Sequence, residues 1–250
     1  MNQNDPVMTA KELLEYRRST GGLQEFPPPR VVIFAPQKSL ASYVLRKYSA
    51  RQVKGFLGEF YLLKKFKGEI ALSTGFGIGA PVIAGLTDEF SALGVRQFGL
   101  VGLAGALQEN LSAGSLVLSS GAIRGEGVSS HYLPAAEIVD SSSECLQGIG
   151  HALQTQGHSF SSGLTWTTDA PFREIRKDVL AYQERGVLAV DMESAAMLAV
   201  AASYGLPAFA AFSIADTLAN GVWKMSKDMR SAQTGLSVLF EAALYYLISA

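Results

Sequence analysis

Short apolar runs alternating with amphipathic stretches long enough for a helix limit this chain more than any other feature. Val31-Val32-Ile33-Phe34 reads as a strand and residues 39–48 as a helix. Residues 59–66 and 69–73 read as a hairpin pair, and a helix opened by Pro81 runs to about residue 93. Strands are expected at 97–101, 115–119, 162–167, 187–192 and 207–214, with helices at 146–156, 173–184, 193–204 and 233–248. Strands separated by helices of about 10–15 residues predict an α/β chain whose largely parallel sheet has helices on both faces.

The first 30 residues read differently. Thr9 and Glu12 have capping-box spacing, Leu13, Leu14 and Tyr16 give a short helix an apolar side, and Gly21-Gly22 stops it. Phe26-Pro27-Pro28-Pro29 is a stiff connector, since each proline fixes its own φ and disfavours helix in the residue before it. Residues 1–30 are thus expected to form an N-terminal helical appendage, and residues 31–250 a single domain.

Composition removes several functions. Lys plus Arg is 21 against 22 for Asp plus Glu, a net charge of −1, so no basic field exists to neutralise a nucleic-acid backbone. One cysteine and three histidines argue against a disulfide framework and against a thiolate or histidine-rich metal site. The start lacks the cationic-then-apolar order of a signal peptide. The uncharged stretch between Glu193 and Asp216 is broken by Gly205-Leu206-Pro207, so it reads as helix, turn and strand and not as a membrane span. The expectation is a soluble, cytoplasmic protein that needs no metal.

Four clusters are chemically suggestive. Gly75, Gly77 and Gly79 form a turn ahead of a helix, where backbone N–H groups and the helix dipole favour an anion; a tight structural turn accounts for the glycines equally well. The spacing is not that of a dinucleotide fingerprint. Asp191-Met192-Glu193 places two acids at the carboxyl end of an apolar strand, where open α/β sheets bind ligands; Asp191 alternatively caps the next helix. Asp216 ends another apolar strand and is a candidate general acid, or a turn residue. Residues 166–174 gather aromatic, hydroxyl, carboxylate and arginine groups suited to stacking on a heterocycle, or to a plain helix start with Arg173 exposed.

Taken in order, these segments resemble the nucleoside phosphorylase-I superfamily, in its uridine phosphorylase-like branch. The resemblance is carried by the glycine turn from Ser73 to Pro81, by Val101-Gly102-Leu103-Ala104-Gly105-Ala106-Leu107, by Val190-Asp191-Met192-Glu193-Ser194 and by Ser213-Ile214-Ala215-Asp216. It implies a three-layer α/β/α domain with a twisted mixed central sheet. It also implies cleavage of the N-glycosidic bond of a purine or pyrimidine nucleoside. By that resemblance Met192 and Glu193 hold the ribose, Asp216 protonates or hydrogen-bonds the departing base, and Phe172 and Arg173 fall near the base. Inorganic phosphate is the implied co-substrate, no other cofactor is implied, and the implied assembly is a homo-oligomer (a dimer or trimer of dimers).

One part of the pattern departs. Where the family carries phosphate-binding residues, this chain has Leu40, Leu100 and Leu103, and Gly58 stands where a neighbouring subunit lends an arginine. The reading is therefore nucleoside cleavage with an atypical phosphate site. Its alternatives are hydrolysis and a non-catalytic nucleoside or base binder of the same fold.

Overall fold

Every residue of Val31–Ala35 is buried, and this strand is paired in parallel on both sides, as a continuous apolar run requires. It lies inside a sheet of 11 strands in a computed structural model that describes residues 6–249. The elements run α1 (Ala10–Ser19), β1 (Val31–Ala35), α2 (Lys38–Lys47), β2 (Ala50–Val53), β3 (Glu59–Leu63), β4 (Ile70–Thr74), α3 (Ala80–Leu93) and β5 (Gln97–Ala106). They continue as β6 (Leu116–Gly125), β7 (Ile138–Asp140), α4 (Ser143–Thr155), β8 (Ser161–Thr168), α5 (Arg176–Glu184) and β9 (Ala189–Asp191). Last come α6 (Ser194–Ser203), β10 (Ala208–Thr217), β11 (Lys224–Met225) and α7 (Met229–Ser249).

The sheet is mixed, with long parallel registers between β5 and β10 and between β6 and β8. Helices cover both faces. α3 and α6 share one apolar core with α1, while α2, α4 and α7 share the other. Helix α6 is buried from Ser194 to Ala201, as a helix apolar all round must be. Each large aliphatic side chain so buried contributes about 1.5–3 kcal/mol.

Two features exceed the sequence expectation. Strands β5 and β6 extend well past residues 101 and 119, and their pairings return on themselves: β5 to β10, β10 to β6, β6 to β8, β8 to β9 and β9 to β5. These five strands therefore close a ring. Glycines in β5 weaken the strand pattern in sequence yet serve this packing, because a Cβ at Gly99 would stand 2.3 Å from the Phe209 ring.

The N-terminal segment is anchored to this body. Thr9 and Glu12 form the expected capping box on α1. Leu14 and Leu23 are buried, and Arg17 pairs with Glu89 of α3 at 2.5 Å. Helix α5 starts at Arg176, later than residue 173, because Pro171–Arg173 forms a separate 3-10 turn and Ile175 is extended. Glu174 is left in a non-helical link between the two.

Candidate active site

A cavity of about 740 Å³ opens at the carboxyl ends of β5, β9 and β10. That end of an α/β sheet is where strand termini and loops converge on a ligand. Met192, Glu193, Asp216 and Phe172 all line it. Arg173 is exposed and does not; the arginine in the lining is Arg176. Phe172 stands at the mouth, 98% exposed. Of the glycine turn only Ile78 reaches the lining.

The glycine turn contributes in another way. Gly75, Gly77 and Gly79 all have positive φ, and the Gly79 N–H donates to Glu193 Oε1 at 2.6 Å. One of the turn's amides is thus occupied by a carboxylate of the protein itself. The turn thereby positions Glu193.

Glu193 also depends on Asp191. Asp191 Oδ1 accepts from the backbone N–H groups of Glu193 and Ser194, each at 2.7 Å, and Oδ2 accepts from Ser194 Oγ at 2.6 Å. Asp191 therefore caps α6, while Glu193 faces the cavity; the two readings of this pair divide between its members. Burial raises the Asp191 carboxyl above the usual range, and these donors oppose the rise. Glu193 is only 7% exposed, and burial, reinforced by the charge of Asp191, raises it to about 7.

Asp216 is placed by a strand irregularity. The β5–β10 register shifts between Ile214 and Asp216, so Ala215 is the extra residue, and Asp216 falls opposite Gly105. A Cβ at Gly105 would lie 3.1 Å from Asp216 Oδ1 and 2.7 Å from Leu218 Cδ1, so the carboxyl packs directly against this glycine. Trp223 Nε1 donates to Asp216 Oδ2 at 2.6 Å.

The sequence reading did not single out Glu174, Arg176, Trp223 or Gln37, all of which line the cavity. Glu174 lay inside the noted 166–174 cluster, so its signal was present but not separable from its neighbours. Burial, with the nearby charge of Asp216, raises Glu174 to about 7. Trp223 comes from a loop with no periodic pattern, and only the folded chain brings it to Asp216.

The positions at issue for phosphate fall in different places. Leu40 and Leu100 are 1% and 0% exposed in the two cores, and only Leu103 lines the cavity. Gly58 has φ +74°, and a Cβ there would stand 2.5 Å from the Thr74 carbonyl oxygen. Among the described residues no group of three or more His, Cys, Asp or Glu could hold a metal ion, and no helix is long and apolar enough to cross a membrane.

The fold and site define an α/β protein with acids converging on one pocket at the strand ends of its sheet. The chain belongs to the phosphorylase superfamily, whose family model matches residues 30–244. It is 27% identical over 146 residues to the uridine phosphorylase of Escherichia coli (strain K12), covering 53% of this chain and 58% of that protein. It is 31% identical over 145 residues to the guanosine phosphorylase of Halorubrum lacusprofundi, covering 58% of this chain and 60% of that one. A DeoD-type purine nucleoside phosphorylase of Bacillus cereus is 26% identical over 194 residues, 77% of this chain and 80% of its own. The chain thus spans about three fifths of the length of the uridine and guanosine phosphorylases that it matches. The fold is that of a crystallised uridine phosphorylase from Vibrio fischeri ES114, with TM-score 0.77 at 22% identity, covering 90% of this chain and 94% of that one.

Proposed function

We propose that this chain cleaves the N-glycosidic bond of a nucleoside. The observation that carries the reading is the convergence of Met192, Glu193 and Asp216 on one cavity with room for a nucleoside. Glu193 accepts from the ribose hydroxyls with Met192 beside it, and Asp216 meets the departing base. Phe172, at the mouth, offers a face for the base to stack on, and Arg173 lies outside the lining. Carboxylates near the sugar favour the positive charge that develops as the bond breaks, and an acid at the base favours its departure.

The nucleophile is a separate matter. Among the described residues the ionisable side chains lining the cavity are four acids, Glu174, Asp191, Glu193 and Asp216, against one base, Arg176. A phosphate dianion entering here meets like charge and few charge-assisted partners. The excess of acids favours water as nucleophile and supports the atypical phosphate site. The proposed protein works in the cytoplasm as a homo-oligomer, with no metal and no organic cofactor.

The test is product analysis of purine and pyrimidine nucleosides with phosphate supplied or rigorously removed. Free ribose at equal rates in both conditions is the expected result. Ribose 1-phosphate formed only with phosphate overturns the reading of the nucleophile. Intact nucleosides throughout, with measurable binding, indicate a binder of the same fold.

A further inference from the structure

Gln37 lines the cavity from the link between β1 and α2, and its Oε1 is buried with no hydrogen-bond partner among the described residues. By contrast, Asp191 meets the start of α6, Glu193 the Gly79 N–H, Asp216 the Trp223 indole and Arg176 the Gly221 carbonyl. Gln37 holds the N-cap position of α2, yet its side chain does not cap the helix. The oxygen rests beside Gly102, 3.7 Å from where a Cβ there would stand. A buried acceptor left unmet costs stability, and an apolar side chain of the same shape avoids that cost. Among the described residues nothing in the fold calls for an amide here.

The strand pairing puts Gln37 at the sugar end of the cavity. β10 runs along one edge of β5 over residues 98–106, so β1, paired with residues 97–100, and β9, paired with Gly105 and Ala106, share the other edge. Gln37 follows β1 and Glu193 follows β9, whereas Asp216 belongs to β10. Gln37 and Glu193 thus approach the cavity from one side of β5 and Asp216 from the opposite side. Gly102 beside Gln37 and Gly105 beside Asp216 are about 10 Å apart along the strand.

Resting on the nucleoside reading above, we propose that Gln37 is a specificity residue whose carboxamide pairs with one hydroxyl of the nucleoside's sugar. With no partner for the oxygen at Gly102, rotation about the last side-chain bonds is free to turn it to the cavity. A hydroxyl donates and accepts, so it meets either end of the carboxamide. Gln37 therefore selects a sugar that carries this hydroxyl, because a site built to hydrogen-bond a hydroxyl leaves its own polar group unmet when that hydroxyl is missing.

The experiment compares kcat/KM of the native protein and of Gln37→Met on adenosine or uridine, whichever is cleaved faster, and on its 2′-, 3′- and 5′-deoxy forms. The variant is expected to lose roughly tenfold on the parent and on two of the deoxy forms, and less than about twofold on the third, which lacks the partner hydroxyl. Its Tm is expected to hold or rise, since the unmet acceptor is gone. Equal losses on all four substrates, or no loss on any, overturn the proposal, and a lowered Tm with equal losses assigns Gln37 to structure instead. Calorimetric binding of the same compounds separates this proposal from the cleavage reading. If nothing is cleaved yet Kd shows the same pattern, cleavage fails and the role of Gln37 stands. No binding of any of them overturns both.

Discussion

The Gly79 backbone N and Glu193 Oε1, 2.6 Å apart, tie the turn before α3 to the residue just past β9. A carboxylate held this way has a fixed orientation before any ligand arrives, which is worth more to catalysis than a free side chain. Glu193→Gln keeps an oxygen for Gly79 to donate to but loses the charge. Nucleoside turnover is expected to fall by about 10²-fold or more with the fold intact, as read by steady-state rates alongside circular dichroism.

Glu193 and Glu174 also give stability a defined pH dependence. Both carboxyls are raised to about 7 in the folded protein, from an ordinary value of 4.5. Between those values the folded chain binds more protons than the unfolded one, so stability is full below about pH 4.5 and declines as pH rises through 7. Tm measured from pH 5 to pH 8 should fall for the native protein and fall less for the Glu174→Gln, Glu193→Gln double variant. Equal slopes would falsify the assignment of these protons.

Placing an arginine at positions that the resemblance assigns to phosphate is expected to fail. Gly58→Arg forces a side chain onto φ +74° and against the Thr74 carbonyl, at a cost of about 2–4 kcal/mol. Leu100→Arg places a guanidinium in a fully buried core position. Both variants should show a depressed urea midpoint and no gain of phosphate-dependent cleavage. A stable variant at either position with ribose 1-phosphate among its products contradicts this account.

Trp223 is 62% exposed, so removing its indole N–H acts on Asp216 and leaves the core untouched. Trp223→Phe is expected to lower kcat roughly tenfold, for the one hydrogen bond that orients the Asp216 carboxyl, while Tm stays within about 1 °C. A fall in Tm with unchanged kcat would assign Trp223 to structure alone.

Gly105→Ala tests the space around the same carboxylate from the other strand. The new methyl meets Leu218 Cδ1 at 2.7 Å and Asp216 Oδ1 at 3.1 Å, so both side-chain ends must shift to admit it. Activity and Tm should fall together, unlike the Trp223 variant.

The parts of the fold legible in the sequence were those with strong periodicity. Val31–Ala35 and Ser194–Ser203 announce themselves by unbroken apolar content, and Thr9 with Glu12 by cap spacing. β2, β7 and β11 did not, being short and, in β2 and β11, largely exposed. The far halves of β5 and β6 were hidden because Gly102, Gly105, Gly121 and Gly125 suppress the strand pattern where neighbours pack closely. At the site, Glu193 and Asp216 could be found because each ends a strand. Glu174 sits in an irregular link, and Trp223 reaches Asp216 only once β10 and β11 have paired, which no periodic pattern encodes.

The ring formed by β5, β10, β6, β8 and β9 has a consequence for how such a protein diversifies. None of its strands can slide without breaking pairing with two neighbours, so the stations of Glu193 and Asp216 are tied to the hoop. Glu174 and Trp223 hang from connecting segments outside it. Changes there remodel the lining of the cavity without loosening the ring, so its mouth can be reshaped across lineages while the scaffold stands.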